Sequence, residues 1–329
     1  MIRSDELDRG FVEEILAEPG GEHLLTCWSC GTCAATCLVR RYQPAFNPRL
    51  ILHKAGLGLR EEVLSSAEIW ECSACDACYP RCPKEIHISD VMKAIRNIAI
   101  REGCERPGVI AEVDVSTCVA CGICAAACPY EAISLQTVVW QRRPRRAAQV
   151  DRTLCVGCGI CNSVCPSSSI SVEGYTDLEC HDSLVDASYA ARPPAGADWQ
   201  GVGLVIVCDW CLHAASDVEY ASHPPEGVKV INVSCSGRVT PAFVTTALQQ
   251  GVDTVLIVGC KEDECHYKQG STIAGGRLAM LQRFLELLGV ERGRVQFARL
   301  GSLDRGKFPR LLDKMAKEVH ALGRLARGN

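Results

Sequence analysis

Polar and apolar positions change rhythm three times along the chain. Over the first hundred residues apolar positions recur at helical spacing, as Val12, Ile15 and Leu16, then as Ile88, Val91, Met92, Ile95 and Ile98 with Ser89 as the expected N-cap. Between these predicted helices, Leu50 to Leu52 and Val63 to Ile69 are apolar runs, Pro44 and Pro48 mark a turn, and Gly56 and Gly58 mark a break. From about residue 107 a tandem repeat follows, VDVSTCVACGICAAACPYEAISL and VDRTLCVGCGICNSVCPSSSISV, offset by 37 residues. In each copy a short strand leads into a cysteine loop, and Pro129 or Pro166 precedes a second strand. Thr137 to Val150 exceeds a tight turn and predicts an extra hairpin.

Residues 176–200, with Pro193, Pro194, Ala195 and Gly196 and no clear period, predict a linker. Beyond it, four buried-strand patterns at 204–208, 228–233, 254–260 and 295–300 alternate with helical segments near 213–221, 241–250 and 272–289. That alternation predicts a small α/β domain with a mostly parallel sheet. The fold class is therefore α+β multidomain, divided at 1–105, 106–175, 176–200 and 201–329.

Composition supplies the chemistry. Of 23 cysteines in 329 residues, sixteen fall in four runs of one spacing, Cys-x2-Cys-x2-Cys-x3-Cys. The runs are Cys27, Cys30, Cys33 and Cys37; Cys72, Cys75, Cys78 and Cys82; Cys118, Cys121, Cys124 and Cys128; and Cys155, Cys158, Cys161 and Cys165. Zinc is the rival for paired cysteines, but a third cysteine at x2 and a fourth at x3, followed by proline in three runs, is the bacterial ferredoxin pattern for [4Fe-4S] clusters. Leu38 replaces that proline in the first run. The fourth thiolate in such proteins serves the neighbouring cube, so the expected sets are crossed. Cys82 joins Cys27, Cys30 and Cys33; Cys37 joins Cys72, Cys75 and Cys78; Cys165 joins Cys118, Cys121 and Cys124; Cys128 joins Cys155, Cys158 and Cys161. Gly31, Gly122 and Gly159 let the backbone turn with positive φ and bring amides near cluster sulfur.

The last domain holds five more cysteines, Cys208, Cys211, Cys235, Cys260 and Cys265, four of which suffice for one further cluster. Cys208, Cys235 and Cys260 fall at or just after strand ends, the edge where open α/β sheets bind ligands. His213 and His266 are expected as hydrogen-bond donors around a cluster or as surface residues, and Cys104 and Cys180 as plain thiols. A net charge of −4 argues against nucleic acid. The arginines Arg142, Arg143, Arg145 and Arg146 around Pro144 are expected at a solvated hairpin tip, with a docking patch for an acidic partner as the other reading. Gly201-x-Gly203 precedes its strand and lacks a third glycine, so it is no dinucleotide fingerprint. The acidic, amphipathic start lacks the features of an export signal, no stretch approaches the ~18 apolar residues of a membrane span, and a reducing cytoplasm is the expected setting.

These motifs carry a family likeness. Residues 1–105 resemble the cysteine-bearing core of the C-type subunit of heterodisulfide reductase, which implies an α-helical ferredoxin. Residues 106–175 resemble a two-cluster ferredoxin. Residues 201–329, through CDWC, Cys235 and GCKEDECHYKQGS, resemble the delta subunit of methyl-viologen-reducing hydrogenase, which implies a [2Fe-2S] cluster. The resemblance further implies an electron-relay subunit of a flavin-based bifurcating complex in an anaerobe. Its implied partners are a flavin-bearing protein like the A-type subunit of heterodisulfide reductase, a terminal reductase of the B type or another kind, and a hydrogenase, formate dehydrogenase or NADH-oxidising module. Two other classes of function remain at this point: a redox sensor or cluster-delivery scaffold, and a terminal thiol or disulfide reductase.

Overall fold

The computed structural model describes residues 7–104, 110–190 and 201–326. The chain forms two compact units, residues 1–110 with 151–156, and residues 111–150 with 157–329. The expected boundary at 105/106 lies outside the described residues.

The first unit is helical: α1 (Arg9–Ala17), α2 (Thr32–Thr36), α3 (Leu38–Tyr42), α4 (Pro48–Leu57), α5 (Arg60–Leu64) and α6 (Ile88–Arg101). Helix α6 forms where its periodicity says, burying Val91, Met92, Ile95 and Ile98 completely. Each such side chain contributes about 1.5–3 kcal/mol of burial. Its N-cap, however, is His87 without a side-chain bond, and Ser89 sits inside the first turn with its hydroxyl given to Asp76. Pro48 marks a helix start rather than a free turn: Asn47 caps α4 by accepting from Leu50 N at 3.3 Å, and Pro48 takes the first position, where a missing N–H costs nothing. The expected break is Gly58, the left-handed C-cap of α4 at φ 80°, where a Cβ would stand 2.4 Å from the Asp8 carbonyl oxygen.

Among the described residues the second unit carries eight strands, β1 (Ala111–Val113), β2 (Ile133–Trp140), β3 (Arg143–Val150), β4 (Ile170–Val172), β5 (Gly203–Cys208), β6 (Val228–Val233), β7 (Thr254–Cys260) and β8 (Val295–Leu300). Its helices are α7 (Ile123–Ala127), α8 (Ile160–Val164), α9 (Asp177–Ala190), α10 (Asp209–Ala215), α11 (Pro241–Gln249), α12 (Gly270–Leu287) and α13 (Lys307–Leu322). Strands β1 and β4 pair antiparallel, joining the two ends of the tandem repeat, and β2 and β3 form the expected hairpin. The arginines are not all solvated at its tip: Arg145 donates to the Ser116 and Cys118 carbonyls at 3.1 and 3.0 Å, so it braces a cysteine loop.

The last four strands form the expected parallel sheet, in order β6-β5-β7-β8. Strands β5 and β7 are buried on both faces, which is why they read as unbroken apolar runs. One face packs Leu204, Ile206, Val255 and Ile257 against Val244, Leu248, Leu278 and Leu281. The other packs Val205, Val207, Leu256 and Val258 against Leu212, Phe308, Leu312 and Met315. The linker expectation needs correction: residues 177–190 are helix α9, whose Leu184 joins the first of these faces, and residues 191–200 lie outside the described residues. The prolines and glycine that prompted the expectation all follow the helix in sequence.

One buried side chain in the first unit ties the helices to a cysteine loop. Arg96 of α6, 3% exposed, donates Nε to the Ile69 carbonyl and Nη2 to the Cys72 carbonyl, each at 2.7 Å, with its guanidinium over Trp70. Arg96→Met strands both carbonyls and is expected to cost about 2–4 kcal/mol. Denaturant unfolding of the metal-loaded protein checks this, and an unchanged midpoint would show that Arg96 does not anchor the loop.

Candidate metal centres

The four cysteine loops share one backbone conformation. In each, the second residue after the first cysteine and the residue after the second cysteine have positive φ: Ser29 and Gly31, Ala74 and Asp76, Ala120 and Gly122, Gly157 and Gly159, all between 51° and 86°. Paired left-handed residues of this kind aim successive N–H groups into one concavity, a nest for an anion. Glycine adopts that conformation freely, whereas Ser29, Ala74, Asp76 and Ala120 adopt it at a cost of about 1–2 kcal/mol each. The second run, with Asp76 where the others have glycine, has the same turn. Composition alone hid this, and only the cysteine spacing reported it.

Two of the loops each line a small cavity. The first is lined by Cys27, Cys30, Cys33 and Cys82. The second is lined by Cys118, Cys121, Cys124 and Cys165. In each, three cysteines come from one run and the fourth from its neighbour. Cys37 lies within electrostatic reach of Cys72 and Cys75, and Cys78 within reach of both and of Cys37, although Leu38 rather than proline follows Cys37 and opens α3. In the last loop Cys158 and Cys161 are buried in the second unit, and the Cys128 sulfur accepts from Ala132 N at 3.4 Å. Residues 151–156, Cys155 among them, group with the first unit.

Six of these sulfurs are poor acids as free thiols. Burial pushes Cys33 and Cys37 up to about 11, and pushes Cys72, Cys75, Cys78 and Cys124 upward too. Burial also works against Cys165, but the Ser167 hydroxyl and backbone N–H groups at Ser167, Ser169 and Ile170 outweigh it and lower its pKa. A thiolate in such a place needs a cation beside it, and metal binding supplies one while displacing the proton.

The five remaining cysteines converge at the carboxyl edge of the parallel sheet. Central β5 ends in Cys208, its neighbour β7 ends in Cys260, and Cys235 lies two residues beyond β6 on the other side. Cys211 lies in α10 directly after β5, and Cys265 follows the short turn Glu262–Glu264. The Cys208 and Cys260 sulfurs stand 3.9 Å apart. Cys208, Cys211 and Cys265 all bear on the titration of Cys260, whereas Cys235 acts on the group only through space. Hydrogen bonds with Cys211 and Cys260 hold Cys208 well below the ordinary thiol range, the bond with Cys260 draws Cys265 down to about 7, and burial pushes Cys211 and Cys235 up. Soft sulfur donors in a dry pocket suit an iron–sulfur centre. Among the described residues no three His, Cys, Asp or Glu side chains stand close enough to hold a single metal ion. In a four-iron cube each thiolate sits on its own iron, so such ligands stand further apart than the ~3.8 Å edge implied by a metal–sulfur bond near 2.3 Å.

His266, expected as a donor near a cluster or as a surface residue, is 1% exposed, and neither ring nitrogen has a hydrogen-bond partner. It stacks on Trp210 at 3.5 Å. His213 is half-buried in α10. Cys180, within α9, packs against the first apolar face of the sheet, and Cys104 is half-buried near the end of the first unit.

Two arginines that the sequence did not single out seat the last ferredoxin loop on the α/β domain. Arg277 of α12 donates Nη1 to Ser163 Oγ and to the Gly237 carbonyl, at 2.8 and 2.9 Å. Arg238, wholly buried, donates Nε to the Tyr175 carbonyl at 2.9 Å and Nη2 to Asp177 at 2.7 Å. Gly159 leaves room for the Arg238 stem, since a Cβ there would stand 2.9 Å from its Cδ. Gly237, two residues after Cys235, packs so tightly on Ile160 that a Cβ would stand 3.0 Å from it. Cys158 accordingly acts electrostatically on Cys235.

Three stretches of the chain match known protein families. Residues 23–86 and 117–169 each match a 4Fe-4S dicluster domain, and residues 204–323 match the delta subunit of methyl-viologen-reducing hydrogenase. The iron-sulfur D-type subunit of the F420-non-reducing hydrogenase of Archaeoglobus profundus is 36% identical over 129 residues, 38% of this chain and 93% of that protein. The C2 subunit of the H(2)/formate:CoB-CoM heterodisulfide,ferredoxin reductase of Methanococcus maripaludis is 37% identical over 110 residues, 31% of this chain and 59% of that protein. The A-type subunit of the ferredoxin:CoB-CoM heterodisulfide reductase of Methanosarcina mazei is 32% identical over 122 residues, 36% of this chain but 15% of that protein. The chain thus spans nearly all of the hydrogenase relative, a little over half of the Methanococcus relative and a small part of the Methanosarcina one. With two 4Fe-4S domains ahead of a complete delta-subunit domain, the chain belongs to the iron–sulfur delta-subunit family of hydrogenases, here fused to a domain like the C-type subunit of heterodisulfide reductase and to a two-cluster ferredoxin domain.

Proposed function

We propose that the chain is an electron relay with four [4Fe-4S] centres and one [2Fe-2S] centre, acting inside a heterodisulfide reductase-like, flavin-based bifurcating complex. The observation that carries the reading is the make-up of the two cavities, each lined by three cysteines of one run and the fourth of its partner run. By the same crossing, Cys72, Cys75, Cys78 and Cys37 hold a second centre, and Cys155, Cys158, Cys161 and Cys128 a fourth. For the fifth, we take Cys208 and Cys260, whose sulfurs stand 3.9 Å apart, with Cys211 and Cys265, which both act on Cys260, as the ligand set, and Cys235 as the cysteine beside it. Bound clusters supply one-electron redox chemistry, and the residues around them set spacing, potential and access.

Access favours conduction. Cys30 and Cys121 are exposed at the loop surfaces, which gives electrons an entry or exit to docked partners. Cys158 and Cys235 sit across the Gly237–Ile160 contact, inside the unit. Helix α12 leaves Met280, Phe284, Leu287 and Leu288 exposed along one face, an apolar stripe that suits a protein working in contact with others. The partners in this reading are a flavin-bearing protein of the heterodisulfide reductase A type, a terminal reductase of the B type or another kind, and a hydrogenase, formate dehydrogenase or NADH-oxidising module, in an anaerobic cytoplasm. Among the described residues no helix is long and apolar enough to cross a membrane. A terminal disulfide reductase is disfavoured because Cys208, Cys211, Cys235 and Cys260 are buried and only Cys265 of that group is half-buried, which leaves no accessible pair of thiols there for a disulfide substrate.

Two outcomes are expected. Cys260→Ser should abolish the two-iron signal and remove about two irons per chain, while Cys235→Ser should retain both. The reverse pattern, read by iron assay and electron paramagnetic resonance, would reassign the ligands. Isolated from its native cells under oxygen exclusion, the chain should come down with a flavoprotein and a donor oxidoreductase, and the complex, not the chain alone, should reduce the terminal acceptor. Disulfide turnover by the isolated chain with a chemical donor would overturn the relay reading.

A further inference from the structure

A neutral imidazole carries one N–H and one lone pair, and burying either unpaired costs about 1–3 kcal/mol in most proteins. His266 buries both: its ring is 1% exposed, with neither Nδ1 nor Nε2 bonded. The ring is not loosely placed. Trp210, between Cys208 and Cys211, covers one face at 3.5 Å and 16°, and Tyr267 meets it edge-on at 4.9 Å and 76°. Aromatic stacking thus fixes the plane, and the chain fixes the position, one residue after Cys265. The Cys208 sulfur lies within electrostatic reach of the ring. A polar group held this rigidly has a partner that the protein atoms do not supply, and what the surrounding donor set accommodates is sulfur carrying negative charge.

We propose that His266 donates a ring N–H hydrogen bond to a sulfur of the C-terminal centre on its Cys208 side, and so raises the reduction potential of that centre. This rests on the reading above that these cysteines hold an iron–sulfur centre. Reduction adds negative charge to the cluster sulfurs, a donor aimed at them stabilises the reduced form, and hydrogen bonds to sulfur are among the features that set such potentials. No ligand is displaced, since the cysteines already supply four thiolates. His266 is therefore a positioning and tuning residue at the electron junction rather than an iron ligand.

The test uses the full-length, cluster-loaded chain. His266→Phe preserves the stack on Trp210 and removes the N–H; His266→Gln retains a donor. Potentials come from dithionite titrations followed by electron paramagnetic resonance, and the hydrogen bond from hyperfine spectra of protein labelled with 15N-histidine and exchanged into deuterium oxide. The expected result is a weak 15N coupling and an exchangeable proton in the unsubstituted protein, both lost in His266→Phe. The two-iron signal of that variant should persist at a more negative potential, and His266→Gln should fall between. An unchanged potential and unchanged spectra in His266→Phe would overturn the inference. So would a strong coupling typical of iron-bound nitrogen, which makes the ring a ligand. If His266→Phe fails to fold, the coupling in the unsubstituted protein decides alone. A missing two-iron signal in that protein, with the four-iron signals intact, would instead remove the fifth-centre reading, and this inference with it.

Discussion

A buried thiolate is stable only beside a cation, and this chain buries thiols where little else neutralises them. Several are shielded from water strongly enough to be held as neutral acids in the absence of metal, Cys33 and Cys37 at about 11 among them. The loops around them have adopted left-handed conformations that side chains at Ser29, Ala74, Asp76 and Ala120 resist. Both costs are offset by the same event, the binding of iron and sulfide, whose negative sulfur cores the inward N–H groups favour. Folding and metal binding are thereby linked, and the apolar core can stay modest around the cysteine loops while the α/β domain keeps a conventional two-faced core.

What the sequence made legible follows from how strongly each signal is constrained. Cysteine spacing is tightly constrained by cube geometry, so two of the runs share a cavity with the last cysteine of the neighbouring run, and the turn is the same where Asp76 replaces glycine. The parallel strands were legible because burial on both faces leaves unbroken apolar runs. Helix α9 was missed because its apolar face is thin, Cys180, Leu184 and Ala187 at most, with prolines and glycine close behind. Ser89 had the right chemistry for a cap but sits inside the first turn, and its hydroxyl went to Asp76 instead. Arg238, Arg277 and Arg96 carried no signal at all. A buried arginine is recognisable only once the carbonyls and carboxylate it satisfies are brought together by distant segments.

These arginines connect fold to function. Arg96 fixes the Cys72 loop to α6, Arg277 ties Ser163, just beyond the loop bearing Cys158, to the turn after Cys235, and Arg238 of that turn holds Tyr175 and Asp177 at the start of α9. Electron hopping depends steeply on distance, so a relay gains more from rigid seating of its loops than from any catalytic side chain. Joining the ferredoxin loop to the delta-subunit fold in one unit makes that seating intramolecular.

The central claim is that these sulfurs hold iron–sulfur cages rather than single ions. Mössbauer spectroscopy of the 57Fe-labelled chain, purified without oxygen and paired with total metal analysis, tests it most directly. The account predicts about 18 irons per chain, most in the spectral signature of four-iron cubes with a two-iron minority. Zinc at comparable stoichiometry, with little iron and no cluster signature, would contradict it.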